Sequence, residues 1–302
     1  MPCVQRSPAV VAVADESRLL TVLAVCYNHA RFLRECLDSI RAQTWQDFQL
    51  IVTDDGSVDG SADLIRQWLE RHRPDATFIA HPRNRGLCAT LNEALAVVCG
   101  KYLAKLSTDD VWLPAKLERQ LAIMESLPDR VAVLYTDAYQ IDEDSNLLPR
   151  RYLSDAVQAE PPPSGDVFLR VLRNNNFVLG VTTLLRASCL RDVGGYDEDL
   201  AYEDWDMWLR LADRFDFVFS DEVYAQYREV QTSMSHTLVR YGSPGRAWND
   251  LLILEKWLPS PRLDLGTRLR TRLRMLKHAL FLRRVGDARA GAAMARALAA
   301  WT

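Results

Sequence analysis

The chain has 302 residues, 48 % hydrophobic and 25 % charged, with a formal net charge of −3. That mix excludes a disordered or fibrous chain, and the small net charge gives no general pull towards nucleic acid. The charge is unevenly placed: from Pro261 on, ten Arg and Lys residues face only Asp264 and Asp287, about +8 for the tail against about −11 for the rest.

Residues before about Arg18 read as a loose leader, since the apolar run Ala9–Ala14 is too short for a signal peptide. Leu19–Cys26 is an apolar run suited to a buried strand, and Ala30–Gln43 follows with Phe32, Leu33, Leu37 and Ile40 at helical spacing. Phe48–Thr53 is a second strand and Asp59–Arg71 a helix, with Asp59 as its N-cap. Thr77–Ala80 is a third strand; Gly86–Val98 is a helix closed by Gly100; Lys101–Leu106 is a fourth strand running into Asp109 and Asp110. Pro114 opens the next helix, Val131–Tyr135 is a strand, and Arg150–Gly165, with its three prolines, is a mobile loop. Val181–Leu185 and Phe215–Phe219 read as strands around a helix over Glu203–Asp213, and from Arg246 the chain is helical. Strands alternating with helices predict an α/β fold with a mostly parallel sheet. The division is a leader over 1–18, a catalytic domain over 19–240 and a basic helical extension over 241–302. No stretch has the length of a membrane span. Six scattered cysteines (Cys3, Cys26, Cys36, Cys88, Cys99, Cys189) without CxxC spacing point to a reducing compartment, hence the cytoplasm.

Ligands of open parallel sheets sit beyond the carboxyl ends of the strands. Three such ends here are polar: Tyr27-Asn28-His29, Asp54-Asp55-Gly56-Ser57 and Ser107-Thr108-Asp109-Asp110. Two carboxylate pairs side by side would repel by about 4 kcal/mol per pair at roughly 4 Å and an effective dielectric near 20. A divalent cation carrying a phosphate, or a hydrogen-bonding nucleoside, would relieve that cost. No GxGxxG and no GxxxxGK[ST] is present, which excludes a Rossmann dinucleotide site and a P-loop. A dehalogenase-type phosphatase would need its nucleophilic Asp at Thr53, which cannot form the aspartyl-phosphate.

The ordered pieces VLAVCYNHARFLRECLDSIRAQTWQDFQLIVTDDGSVDGS, NRGLCATLNEAL, KYLAKLSTDDVWLP, GGYDEDL and YEDWDMWLRL resemble glycosyltransferase family 2, inverting enzymes of the GT-A fold. The resemblance runs from about Leu20 to Arg228. It implies that Asp55 accepts a hydrogen bond from the donor's base, fitting uracil N3–H, and that the backbone around Val25 to Tyr27 lines the same pocket. It implies that Asp109 and Asp110 serve the ribose and a Mn²⁺ or Mg²⁺ ion on the diphosphate, Asp110 being favoured as the direct ligand. Ser107 stands where many members carry a further Asp. Asp204 matches the family's catalytic base. Its helix N-terminus would lower its pKa, whereas burial beside Trp205 and Glu203 would raise it. Arg85, with Arg83, occupies a position that approaches the diphosphate, and His236 is a candidate metal ligand after Tyr227-Arg228. His29 and His81 read as loop hydrogen-bonders. Trp205 and Trp208 read as packing, Trp205 being also a candidate acceptor-sugar platform.

The resemblance therefore implies transfer of a sugar, UDP-linked by preference, to a glycan or lipid-linked acceptor in polysaccharide, O-antigen or other glycan assembly. The rivals are a nucleotide-sugar-binding homologue without catalysis and a sugar nucleotidyltransferase; the latter would need a Gly-rich basic loop where Cys26-Tyr27-Asn28 stands. The basic tail admits three readings: a solvated helix packed on the catalytic domain, a peripheral contact with anionic lipid at the inner membrane face, or an oligomer contact. No nucleic-acid partner is expected.

Overall fold

A computed structural model of the chain describes residues 18–153, 162–174, 177–234, 236–237, 240 and 242–301. The leader with Cys3, most of the proline-rich loop and Asn175-Asn176 lie outside these residues.

β1 (Arg18–Cys26) is buried on both faces: Leu20, Val22 and Ala24 meet one apolar layer, Leu23 and Val25 the other. After α1 (Ala30–Arg41) comes β2 (Gln49–Asp54), then α2 (Ser61–His72), β3 (Thr77–Ala80), α3 (Leu87–Leu95) and β4 (Gly100–Ser107). β1 runs parallel to β2 and β4, and β3 lies parallel outside β2. The register pairs Cys26 with Asp54 and Val25 with Ser107, so the three polar strand ends emerge side by side.

Two local expectations change. Gly100 does not end a helix; it opens β4, where a Cβ would lie 2.4 Å from the Thr21 backbone nitrogen, so only glycine lets the strands approach. Asp59 is not the N-cap of α2, a place taken by Gly60 in the left-handed region. Its carboxylate accepts from Ser61 N–H (3.0 Å) and Ala30 N–H (2.9 Å), tying the starts of α1 and α2 together.

Beyond β4 come β5 (Val111–Trp112), α4 (Lys116–Ser126), β6 (Val131–Ile141), β7 (Leu147–Arg151) and α5 (Phe168–Asn174). They are followed by β8 (Leu184–Arg186), α6 (Ala187–Asp192), α7 (Asp204–Arg214) and β9 (Asp216–Arg228). Among the described residues one nine-stranded sheet results, ordered β3-β2-β1-β4-β8-β6-β9-β5, with β7 paired to β6. The parallel arrangement holds over its first four strands. β8 then runs antiparallel to both β4 and β6, while β6 and β9 are parallel and longer than their apolar runs. The strand expected over Val181–Leu185 is half replaced by a 3₁₀ turn, Gly180–Thr182. There the Thr182 and Thr183 hydroxyls donate to the Leu179 and Gly180 carbonyls, each at 2.8 Å, competing with the ladder.

α1, α2 and α4 cover one face of the sheet; α3, α5, α6 and α7 cover the other. The chain closes with α8 (Pro244–Trp257), α9 (Leu265–Arg284) and α10 (Ala290–Ala299), whose Leu251, Leu254, Met275, Leu282 and Ala297 are continuous with the second layer. Among the described residues no helix is long and apolar enough to cross a membrane, and the five described cysteines are unpaired.

Candidate active site

At the end of β2, Asp55 is 3 % exposed and already engaged. Its Oδ1 lies 2.8 Å from His81 Nδ1 and accepts from Arg85 N–H at 2.8 Å; its Oδ2 accepts from Gly86 N–H at 3.0 Å. A carboxylate offers about four acceptor positions, so one remains for an incoming donor such as a base N–H. Gly56 (φ +75) lets the loop before α3 lie directly on this turn, since a Cβ there would stand 2.3 Å from the Arg83 carbonyl carbon. Asp54 caps the same turn, accepting from Ser57 N–H at 3.0 Å. Tyr27 is 45 % exposed at the mouth, whereas Val25 is core and its carbonyl is taken by Thr108 N–H at 3.0 Å. The Arg85 guanidinium is paired with Glu93 on α3.

At the end of β4, Asp110 is buried and accepts from Arg228 N–H at 2.9 Å. Burial, and then the charge of Asp109, push its carboxyl well above the usual carboxylate range. Asp109 Oδ1 is buried and has no hydrogen-bond partner among the described residues, and Asp109 Oδ2 lies 3.7 Å from His29 Nε2. A buried carboxylate beside a half-buried one that carries an orphaned oxygen fits a hard divalent cation, whose oxygen preference matches them. No third His, Cys, Asp or Glu joins them within metal-ligating reach among the described residues. His236, expected there, sits instead in a turn after β9, its N–H bonded to the Ser233 carbonyl at 3.1 Å.

At the start of α7, Glu203 is the residue before the helix and Asp204 its first turn. Burial, then the neighbouring Glu203 charge, push the Asp204 carboxyl up to about 7, against Lys105, the Trp205 N–H (2.7 Å) and Arg246. The helix-end effect is thus outweighed. Trp205 is no sugar platform: it is buried, its Nε1–H donates to the Val171 carbonyl at 3.0 Å, and Arg274 lies over its ring. Trp208 is packed as expected.

Two side chains that build the site, Lys105 and Arg228, went unassigned in the sequence. Lys105, on β4, donates to Glu203 and its charge reaches both Asp110 and Asp204. Arg228, fully buried at the end of β9, donates to the carbonyls of Asp109 (2.7 Å) and Asp142 (2.9 Å) and to Glu35 Oε2 (2.6 Å), fixing the aspartate loop from beneath. His81, expected only as a loop hydrogen-bonder, orients Asp55. A signal for Lys105 existed: a lysine inside Leu103-Ala104-Lys105-Leu106 is rarely buried without a charged partner.

The family model described as Glycosyl transferase family 2 matches residues 21–194. An uncharacterized glycosyltransferase of Rickettsia prowazekii is 29 % identical over 213 residues, 70 % of this chain and 64 % of that one. Among solved structures, S. aureus TarS 1–349 in complex with UDP-GlcNAc aligns with a TM-score of 0.62 at 18 % identity, over 90 % of this chain and 74 % of that one. The mannosyltransferase PcManGT from Pyrobaculum calidifontis, in complex with GDP-Man and Mn²⁺, aligns with a TM-score of 0.61 at 19 % identity, over 95 % and 77 %. The fold is that of GT-A glycosyltransferases. The chain spans 64 % of the Rickettsia relative and 44 % of the longer TarS chain.

Proposed function

The chain belongs to glycosyl transferase family 2, and on that premise we propose that it is an inverting transferase moving a sugar from a nucleotide-diphosphate sugar, by preference a UDP-sugar, to an acceptor hydroxyl. One observation carries the reading: Asp110 and the acid pair Glu203-Asp204 all lie within the field of a single buried ammonium, Lys105, which is bonded to Glu203. On this reading an electrophile-holding site and a proton acceptor share one place, at the carboxyl edge of the sheet.

In this reading Asp55 and the exposed Tyr27 receive the nucleoside, and Asp109 and Asp110 hold Mn²⁺ or Mg²⁺. When bound, that ion supplies neutralisation of the charge growing on the departing diphosphate. Asp204 takes the proton from the acceptor hydroxyl, whose oxygen attacks the anomeric carbon as the nucleoside diphosphate leaves from the opposite face, inverting configuration. A carboxyl with a pKa near 7 is a stronger proton acceptor than an ordinary aspartate and is still more than half ionised above neutrality. The UDP preference is supported by the UDP-GlcNAc complex of the TarS neighbour, and the metal by the Mn²⁺ in the PcManGT neighbour. The acceptor is a glycan or a lipid-linked glycan at the cytoplasmic membrane face, reached by a peripheral contact of the C-terminal helices. That contact is supported by exposed Leu265, Leu269, Leu273 and Leu280 on α9 beside exposed Arg270, Lys277, Arg283 and Arg284.

The test is a thermal-shift screen against UDP-, GDP- and dTDP-sugars with and without Mn²⁺, followed by nucleotide release from whichever donor stabilises the chain. Asp110→Ala should abolish the metal-dependent part of the shift. A chain that neither is stabilised by any donor nor releases nucleotide from one is no transferase of this kind.

A further inference from the structure

Two carboxylates stand side by side at the start of α7, and only one can be the proton acceptor. The structure separates them. Glu203 and Lys105 are both mostly buried, and Lys105 Nζ donates to Glu203 Oε1. The ammonium is walled in: it lies 6.0 Å from the centre of the Tyr196 ring. A Cβ placed at Gly180 would meet Lys105 Cε at 3.4 Å, so the 3₁₀ turn passes directly over it. A lysine so enclosed is not a solvated surface charge, and it sits on β4, four residues before Asp109, joining the central strand to the N-terminus of α7.

Resting on the reading of Asp204 as the base, we propose that Lys105 is a positioning residue that divides the work of the two acids. By committing Glu203 to its ammonium, it anchors the first turn of α7 to β4 and leaves proton transfer to Asp204. Two opposed charges act on Asp204 from this pair: Glu203, which disfavours its ionisation, and Lys105, which favours it. The other groups facing Asp204 are Arg246 from α8, Tyr202 immediately before α7, and Tyr152 after β7. Removing either member of the pair therefore changes the balance in a known direction, and removing both restores most of it.

The experiment is a titration of the Asp204 side-chain carboxyl by ¹³C NMR in the full chain, assigned with Asp204→Asn. Lys105→Met should raise its midpoint by about one pH unit or more, and Glu203→Gln should lower it by a similar amount. Lys105→Arg should keep it close to wild type, and the Lys105→Met/Glu203→Gln double variant should return towards wild type. Glu203→Gln is isosteric, so it reports even if Lys105→Met proves too unstable to titrate. A midpoint that is unmoved in the single variants, or moves the same way in both, overturns the proposal. The titration is read without donor or acceptor, so a chain that transfers no sugar would fail the nucleotide-release test while leaving this result standing.

Discussion

At the scale of single residues, the site is governed by where charge is buried rather than by which residues are acidic. Asp204 begins a helix, where a carboxylate is ordinarily favoured, yet desolvation wins and its carboxyl rises from 3.8 to about 7. The folded state then binds the proton more tightly than the unfolded chain, so this group lowers stability progressively as pH climbs from about 4 to about 7. Catalysis runs the other way, because the base must be ionised: turnover should fall away on the acid side of about pH 7. Asp204→Asn should cut turnover by roughly 10²-fold or more with donor affinity nearly unchanged. The same variant should melt no lower than wild type at pH 8, since it removes a buried charge. Turnover and melting curves at pH 5 and pH 8 check both halves, and a near-normal rate removes Asp204 from the role. Asp109 and Asp110 stood out in the sequence because paired acids at a strand end are costly without a counter-charge. Arg228 did not, because what it binds is distant in the chain.

At the scale of elements, the short stretch from β5 into α4 shows how the second half of the sheet is held. Trp112 Nε1–H donates to the Val181 carbonyl (2.9 Å), Gln120 Nε2 to Thr182 (2.7 Å) and Lys116 Nζ to Thr183 (3.1 Å). Three side chains thus satisfy three consecutive carbonyls that the irregular turn before β8 leaves without ladder partners. Among the described residues no acid stands beside Lys116; its ammonium meets the Gln120 side chain (2.6 Å), the Thr183 carbonyl and the Trp112 ring, and burial depresses its pKa from 10.5 to about 7. Between those values the unfolded chain holds a proton that the folded one does not, so stability from this group rises with pH over about 7 to 10.5. Lys116→Met should flatten that rise in urea unfolding series recorded at pH 7, 8 and 9; an unchanged slope removes Lys116 as its cause. Helix periodicity made α1, α2 and α7 readable in advance to within two residues. The Val181–Leu185 turn was not, because its threonine hydroxyls, β-formers by composition, bond backwards to the chain.

At the scale of the whole molecule, the basic tail is less a free charged appendage than its composition implies. Arg262 donates to the Ala212 carbonyl (3.0 Å), Arg268 to that of Leu258 (3.1 Å) and Arg274 to that of Leu172 (2.9 Å), while Arg289 and Arg296 pair with Asp287 and Glu255. Leu263, Met275 and Leu282 are buried in the shared core. Each such side chain contributes roughly 1.5–3 kcal/mol, so losing them consumes much of a stability of about 5–15 kcal/mol. Removal of residues 261–302 should therefore lower the melting temperature sharply or cause aggregation, and is a poor probe of lipid binding. Leu269→Gln combined with Arg270→Glu and Lys277→Glu, on the exposed face of α9, should leave melting nearly unchanged and abolish co-sedimentation with phosphatidylglycerol vesicles. Co-sedimentation that persists in that variant removes the membrane contact. Alternating apolar runs, the glycine-punctuated strand ends and the ordered acidic motifs determined the α/β architecture and the family, because those signals are local and survive in one dimension. Which carboxylate is paired, which arginines hold carbonyls and how the last three helices join the core were decided only in three dimensions. Burial and partner distance, not residue type, set the energy of a charge.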